Sequence, residues 1–398
     1  MTKTMLVHRS AKILMLATLL AGTSSTAVAN DKQGPPEFNP AKMAASIEAT
    51  MKPAVVAFSY TIAKNGKVAL EKGFGPARIA FDGYRAHGPL QRNNIASVTK
   101  TFTALAVVRL IEANKKKGVN ISIDSAIGEY LPDGWKPGLN VAKLSFADLM
   151  RHRSGLSSGN INGVSRLGFE AVKATVEAGT TPPPGGGAER TGAYDNVNYA
   201  LLRELMPKLW AATGTLKYEK IDGSQVWKTQ GDYHSFLYAQ YLNMHILAPL
   251  DITSVQCFDS GNAATLYYPL APNAKINGVT GTDQSKFCGS GGLYLATNEM
   301  TKFLVYLFNT EKLLPAVARQ TMMDRRLGLD AQSTSRGLSF SRIGIVGIGS
   351  NSQGKGGTKA CMIHLPAGVD AALVQNSGDN SNINPCNVLT AAFEAGWK

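Results

Sequence analysis

A serine hydroxyl becomes a good nucleophile when a neighbouring base takes its proton, and a lysine three residues along a helix is placed to do that. The 398-residue chain offers this spacing twice, at Ser97-Val98-Thr99-Lys100 and at Ser352-Gln353-Gly354-Lys355. The first opens an apolar helical pattern, where positions i and i+3 share a face. The second lies in a Gly-rich turn that fixes no such geometry, so Ser97 is the better nucleophile. Lys100 would act as a base only if burial or nearby cations lower its amine from an ordinary pKa near ~10.4. Two other patterns imitate chemistry. Gly155-Leu156-Ser157-Ser158-Gly159 has the spacing of a nucleophile elbow, which needs a strand before it and a helix after it. The preceding Phe146 to His152 reads as helix instead. Gly349 to Lys355 imitates a phosphate-binding loop, but Gly356 stands where Ser or Thr is required and no helix follows. The His residues are scattered singly and the Cys residues lack metal-ligand spacing, so no metal or other cofactor is expected.

The elements that must position Ser97 can be read from periodicity. Lys42 to Met51 reads as a short helix. Ala54 to Ala63 and Lys67 to Phe74 flank Lys64-Asn65-Gly66, a strong hairpin signal. From Ser97 to Lys116, the residues Phe102, Leu105, Ala106, Val108, Leu110 and Ile111 trace a wide apolar helix face. Lys115-Lys116-Lys117-Gly118 suits its C-terminus, with cations on the negative end of the dipole and Gly at the stop. Residues 120–287 read as helical segments between long loops, among them the Pro-Gly run 181–187. A helix is expected at Asn298 to Asn309. Strands are expected at Arg342 to Ile348, Thr358 to Leu365 and Asp370 to Asn376, and a last helix at Cys386 to Trp397. Strands at both ends with helices between them suggest one sheet built from both termini. No internal repeat is present.

Around Ser97 a wider constellation becomes specific. Ile95-Ala96-Ser97-Val98-Thr99-Lys100-Thr101-Phe102 resembles the active-site helix of the serine β-lactamase and penicillin-binding-protein superfamily, and is most similar to its class C-like branch. Leu149 to Leu156 is similar to that branch's His-x-Ser-Gly-Leu segment, and Tyr194-Asp195-Asn196 to its Tyr-x-Asn motif. Leu247 to Leu250 and Gly291 to Tyr294 match its Pro-Leu turn and Gly-Gly-Leu segment. Lys355-Gly356-Gly357 falls where its Lys-Thr-Gly motif is expected. The resemblance covers nearly the whole chain after residue 40. It implies an α+β, β-lactamase/transpeptidase-like fold: an antiparallel sheet flanked by helices, formed by residues 41–117 and 288–398, with an inserted helical lobe at 118–287. It further implies a serine hydrolase in which Ser97, Lys100 and Tyr194 are catalytic. Asn196, Lys355, Gly357 and Thr358 would bind substrate, and the N–H groups of Ser97 and Thr358 would form the oxyanion hole. Lys355 suits a substrate carboxylate. One departure matters: Gly356 lacks the hydroxyl that would help bind a β-lactam or peptide carboxylate. Arg153 also replaces the commoner small polar residue after His152. An ester or a D-amino-acid-containing cell-wall peptide is therefore expected ahead of a β-lactam, with a slowly deacylating penicillin-binding sensor as a further alternative.

Composition sets the surroundings. The chain carries 41 Lys and Arg against 28 Asp and Glu, and 44% of its residues are hydrophobic, which excludes wholesale disorder. Met1 to Lys12 is basic, Ile13 to Ala21 apolar, and Ala27-Val28-Ala29 a small-x-small cleavage signal, so residues 1–29 read as a secretory signal peptide and 30–40 as a polar arm. Loss of Lys3, Arg9 and Lys12 would leave 38 cations against 28 acids, or +10, a bias toward anionic surroundings. No helix-turn-helix or basic-aromatic ribbon points to nucleic acid, and no apolar run approaches the ~18 residues of a membrane span. Periplasmic or secreted localisation is expected, without a membrane anchor. In that oxidising setting four cysteines allow three pairings, with Cys257–Cys288 and Cys361–Cys386, the sequence neighbours, favoured.

Overall fold

The computed structural model describes residues 37–158, 167–181, 194–221, 226–253, 255, 257, 265–269, 277–281, 283–285, 288–351, 354–379 and 382–397. The expected signal peptide, most of the polar arm, nearly all of the Pro-Gly run and Ser352 lie outside the described residues.

The chain begins its folded part with helix α1 (Pro40–Met51). Asn39 caps it, its side-chain oxygen accepting from the N–H groups of Ala41 and Lys42 at 2.9 and 3.2 Å. Strands β1 (Phe58–Lys64) and β2 (Lys67–Phe74) form the expected hairpin. Lys64 pairs with Lys67 across a two-residue turn whose Asn65 and Gly66 have φ of 51° and 78°, the left-handed conformation that an Asn-Gly turn supplies. Short strands β3 (Pro76–Arg78), β4 (Arg85–Ala86) and β5 (Asn93–Asn94) lead to helix α2 (Thr99–Lys116), which ends at Lys117 with Gly118 at φ 81°. Helices α3 (Phe146–Met150), α4 (Phe169–Ala178), α5 (Val197–Ala212) and α6 (Gln230–Leu242) follow. Then come strand β6 (Tyr294–Leu295), which pairs with β5, and helices α7 (Thr297–Asn309) and α8 (Ala316–Asp324). Strands β7 (Asp330–Thr334), β8 (Gly337–Asn351), β9 (Gly354–Leu365) and β10 (Val369–Gln375) precede the last helix, α9 (Pro385–Ala395).

The main sheet is antiparallel, in the order β2-β1-β10-β9-β8-β7, so β1 from the front of the chain pairs with β10 from the back. Its central strands are apolar on both faces because both faces are covered. On β9, Cys361, Ile363 and Leu365 pack in a cluster with Met43, Ile47 and Met51 of α1 and Leu389 and Phe393 of α9. The alternate residues Ala360 and Met362 join Phe102, Leu105 and Phe303 of α2 and α7 in the larger core. Cysteines 361 and 386 are bonded, tying β9 to the first turn of α9, and cysteines 257 and 288 are also bonded. Both pairs are the expected ones. Strand β7 and helix α8 were not anticipated. Strand β7 lies at the sheet edge with an exposed or half-buried pattern, so no apolar alternation marks it in the sequence.

Candidate active site

Ser97 sits in a 3₁₀ turn, Ala96–Val98, that feeds directly into α2. The turn is held from both sides. The Asn94 side chain accepts from the Ala96 N–H at 2.8 Å, and the Thr99 hydroxyl donates to the Ala96 carbonyl at 2.7 Å while accepting from the Leu293 N–H at 3.2 Å. Strand β8 presses on it through Gly344. A Cβ there would collide with the Ile95 carbonyl and stand 3.0 Å from the Ser97 nitrogen, so the close approach of the sheet to Ser97 requires glycine.

In the first turn of the helix, Lys100 is fully buried. Its Nζ donates to Ser97 Oγ at 2.9 Å, to Asn196 Oδ1 at 2.7 Å and to the Ser290 carbonyl oxygen. All three acceptors are neutral. Burial above all, and then the Arg342 cation, hold the Lys100 amine well below its usual range, with Asp195 opposing. An amine lowered in this way and 2.9 Å from a serine hydroxyl is placed to take its proton.

Tyr194 and Asn196 arrive on the segment that opens α5. The Tyr194 hydroxyl lies 2.8 Å from Ser97 Oγ, and Asn196 Oδ1 is 3.4 Å from the same hydroxyl. Asp195 braces this segment: its carboxylate accepts from the Val197 N–H at 2.8 Å and from Ser158 Oγ and N–H at 2.9 Å each. Its carbonyl accepts from His152 Nδ1 at 3.0 Å. The His152 ring packs on Tyr194 with centroids 4.4 Å apart, and the Arg342 guanidinium carbon lies 5.6 Å from the Tyr194 centroid. Burial, then Arg342 and Lys100, push His152 down to about 3, so it is a neutral spacer.

Hydrogen bonds therefore join Ser97, Lys100, Tyr194 and Asn196 in one cluster. Thr358 is buried on β9, opposite Val346 of β8, and its hydroxyl donates to the carbonyls of Gln375 at 2.8 Å and Asn94 at 3.2 Å. That ties β9 to the segment leading into Ser97. Gly357 is adjacent and opposite Gly347, and Lys355 belongs to the same strand nearer the β8–β9 turn. The elbow-like Ser157 lies in a loop after α3, with no strand before it. Sequence reasoning missed the Ser290 carbonyl, Arg342 and Gly344. Each reaches the site across the chain, and only the glycine's type hinted at close backbone approach.

The sequence matches the Beta-lactamase family over residues 43–368. The chain belongs to that family. It is thus a serine hydrolase by family, as the Ser97 constellation indicated. No curated protein sequence matches it. Among solved structures, a D-amino acid amidase from Ochrobactrum anthropi, complexed with L-phenylalanine amide, is similar at 19% identity and a TM-score of 0.63, over 89% of this chain and 95% of that one. An octameric penicillin-binding protein homologue from Pyrococcus abyssi is similar at 20% identity and a TM-score of 0.61, over 89% and 76%. A β-lactamase/D-alanine carboxypeptidase from Yersinia pestis, complexed with citrate, is similar at 16% identity and a TM-score of 0.61, over 90% and 99%. These likenesses show the β-lactamase/transpeptidase-like α+β fold.

Proposed function

We propose that this family member is an exported hydrolase that transfers an acyl group from an ester or amide to Ser97 and then to water. The acyl site would lie between an α/β lobe of residues 41–117 and 288–398 and a helical lobe of 118–287. The observation that carries the reading is the approach of two proton-handling groups to one hydroxyl: Lys100 Nζ at 2.9 Å and Tyr194 Oη at 2.8 Å from Ser97 Oγ. Lys100, its amine lowered by burial, takes the Ser97 proton as Oγ attacks the carbonyl carbon. The N–H groups of Ser97 and Thr358 stabilise the tetrahedral oxyanion. Tyr194 gives a proton to the departing alcohol or amine, and the same pair then activates the water that releases the acid. Asn196 fixes the lysine. Lys355 and the backbone at Gly357 meet an anionic substrate end.

The absence of a hydroxyl at Gly356 supports an ester over efficient β-lactam hydrolysis. The D-amino acid amidase name of one similar fold supports an amide of the D-amino-acid kind as the second choice, while the β-lactamase/D-alanine carboxypeptidase name of another covers both a β-lactam and a peptide. Two disulfides support export, and among the described residues no helix is long and apolar enough to cross a membrane. The test is an intact-mass time course with a penicillin and with a panel of activated esters, run beside Ser97→Ala. Wild type is expected to turn over an ester and to gain, at most transiently, one penicillin-sized adduct, and the variant to do neither. Full hydrolysis by Ser97→Ala would end the proposal. A long-lived adduct with no ester turnover would replace it with a penicillin-trapped sensor.

A further inference from the structure

Behind the Tyr194 ring lies a polar cavity of about 350 Å³ that the acyl-transfer chemistry does not use. Arg151, His152 and Arg153 line it from the end of α3, Arg326 from the end of α8, Asp330 from β7 and Arg342 from β8. We propose that this cavity binds a protonated oxyanion of the phosphate class, separately from the acyl substrate.

Four guanidinium groups converge there against the carboxylates of Asp324 and Asp330, leaving a surplus of positive charge. The crowding acts on Arg151, which is pulled below its usual range first by burial and then by Arg153, Arg325 and Arg326. Arg342 is more than nine-tenths buried at 6% exposure, yet its Nε has no hydrogen-bond partner and its Nη1 reaches Asp330 only at 3.4 Å. A buried guanidinium with an unused donor costs free energy until an acceptor arrives.

His152 supplies the complementary half. It is 8% exposed, and the shortest contact of its Nδ1, 3.0 Å to the Asp195 carbonyl, places the proton on Nδ1 against the longer approaches of the Asp195 N–H at 3.4 Å and the Asn198 amide nitrogen at 3.5 Å, which makes Nε2 the acceptor. That Nε2 is buried and also unpartnered. One wall of the cavity thus offers an unmet donor with positive charge, and another an unmet acceptor. Sulfate and carboxylate at neutral pH have no proton to give the acceptor. A phosphate group bearing one P–O–H satisfies both, with its charged oxygens on the arginines and its hydroxyl donating to His152.

The cavity shares its wall with the acyl site, because His152 and Arg342 both pack on Tyr194. The charged and titratable groups facing Arg342 are Asp330 from β7, Tyr194 and His152 from the loops, Lys100 from α2 and Tyr199 from α5. Those facing Lys100 are Arg342, Asp195, Tyr194, Tyr199 and His152. An anion on Arg342 cancels the cation that helps lower the Lys100 amine. Phosphate is then expected to move the acid limb of the pH–rate profile upward and to act as an inhibitor at its lower end.

The test is calorimetric titration of the folded chain with inorganic phosphate, sulfate and acetate at constant ionic strength set by chloride. It needs no substrate, so it stands or falls apart from the hydrolase reading. One phosphate is expected to bind about tenfold or more tightly than sulfate or acetate, and Arg151→Gln and Arg326→Gln are each expected to weaken it about tenfold. Ser97→Ala is expected to bind phosphate as wild type does. If a glutamine variant fails to fold, Arg151→Lys and Arg326→Lys keep the charge and are expected to bind with intermediate affinity. Tighter binding of glycerol phosphate than of phosphate would assign the site to an organic phosphomonoester. Absence of saturable phosphate binding, phosphate no tighter than sulfate, or binding undiminished in both arginine variants would overturn the proposal.

Discussion

Helix α5 carries two buried charge clusters, and they are built on opposite principles. At its start, Asn196 meets Lys100, a buried amine whose hydrogen-bond acceptors are a hydroxyl, an amide and a carbonyl. Two turns on, the fully buried Glu204 accepts from Arg203 Nε at 2.8 Å and from His234 Nδ1 at 2.8 Å. Arg203 also donates to the carbonyls of Cys288 at 3.1 Å and Leu167 at 3.0 Å, and His234 Nε2 lies 2.9 Å from the Tyr218 hydroxyl. Burial alone would raise the Glu204 carboxyl, but Arg203 and His234 outweigh it and hold the group below its ordinary 4.5. The second cluster compensates its charge and cross-links α5, α6 and the Cys288 segment. The first leaves its charge uncompensated, which is what makes an amine into a base. Burial stabilises a fold only when charges are matched, and it creates reactivity when they are not.

The largest effect that could break this contrast is at Lys100. Lys100→Met is expected to lower kcat/KM for an ester by ~10²–10⁴, the usual worth of a positioned general base. Its effect on stability is expected to be small, because relief of a buried amine opposes the loss of donors to Asn196 and Ser290. The pH dependence carries a sign. The folded amine titrates below the 10.5 of an exposed lysine, so between those two values the unfolded chain binds more protons and stability rises with pH. Denaturation curves across that range should show the slope in wild type and lose it in Lys100→Met. Retained activity would remove the base from the mechanism.

Glu204→Ala reverses the pattern. It strands a buried Arg203 and is expected to cost ~3–5 kcal/mol of stability, while kcat/KM per folded molecule stays near wild type. Because the folded Glu204 titrates below 4.5, its contribution is complete above that pH and is lost as pH falls through the lower folded value. Glu204→Gln should therefore flatten this residue's share of acid unfolding, measured by denaturant titration between pH 3 and 6 (roughly the span over which carboxylates titrate). A catalytic defect larger than the stability loss would mean that the two clusters are not separable.

The two clusters also differ in how readily the sequence exposes them. Ser97 and Lys100 are three residues apart on a strongly apolar helix, so local spacing was enough to single them out, and Tyr194-Asp195-Asn196 stood out by resemblance. The Asn65-Gly66 hairpin was legible for the same local reason. Nothing in the sequence singles out Arg203, Glu204 and His234, because spacing does not tell a paired buried charge from a solvated one. Arg342 lies 148 positions from Tyr194 and was read only as the first residue of a strand. Gly344, the close contact behind Ser97, gained meaning only when β8 was placed against the 3₁₀ turn. Local geometry carried Ser97 and Lys100, whereas the charges around them come from pairings across the chain.

The smallest effect tests the edge of the compensated cluster. The Tyr218 hydroxyl bonds His234 Nε2 at 2.9 Å and accepts from Gln230 Nε2 at 3.1 Å, so it completes the outer end of the chain that starts at Arg203. Tyr218→Phe keeps the ring and removes only that hydroxyl. The loss is expected to be ~0.5–1.5 kcal/mol, since a neutral hydrogen bond near the surface can be partly replaced by water. Glu204 and Arg203 remain paired, so ester turnover is expected to be unchanged. Combining Tyr218→Phe with Glu204→Ala sharpens the point. If the hydroxyl acts through His234 on the carboxylate, its cost should shrink when Glu204 is already gone, and a double-mutant cycle by chemical denaturation would read that coupling directly. Strict additivity would show that the cluster ends at His234 and that Tyr218 merely packs against it.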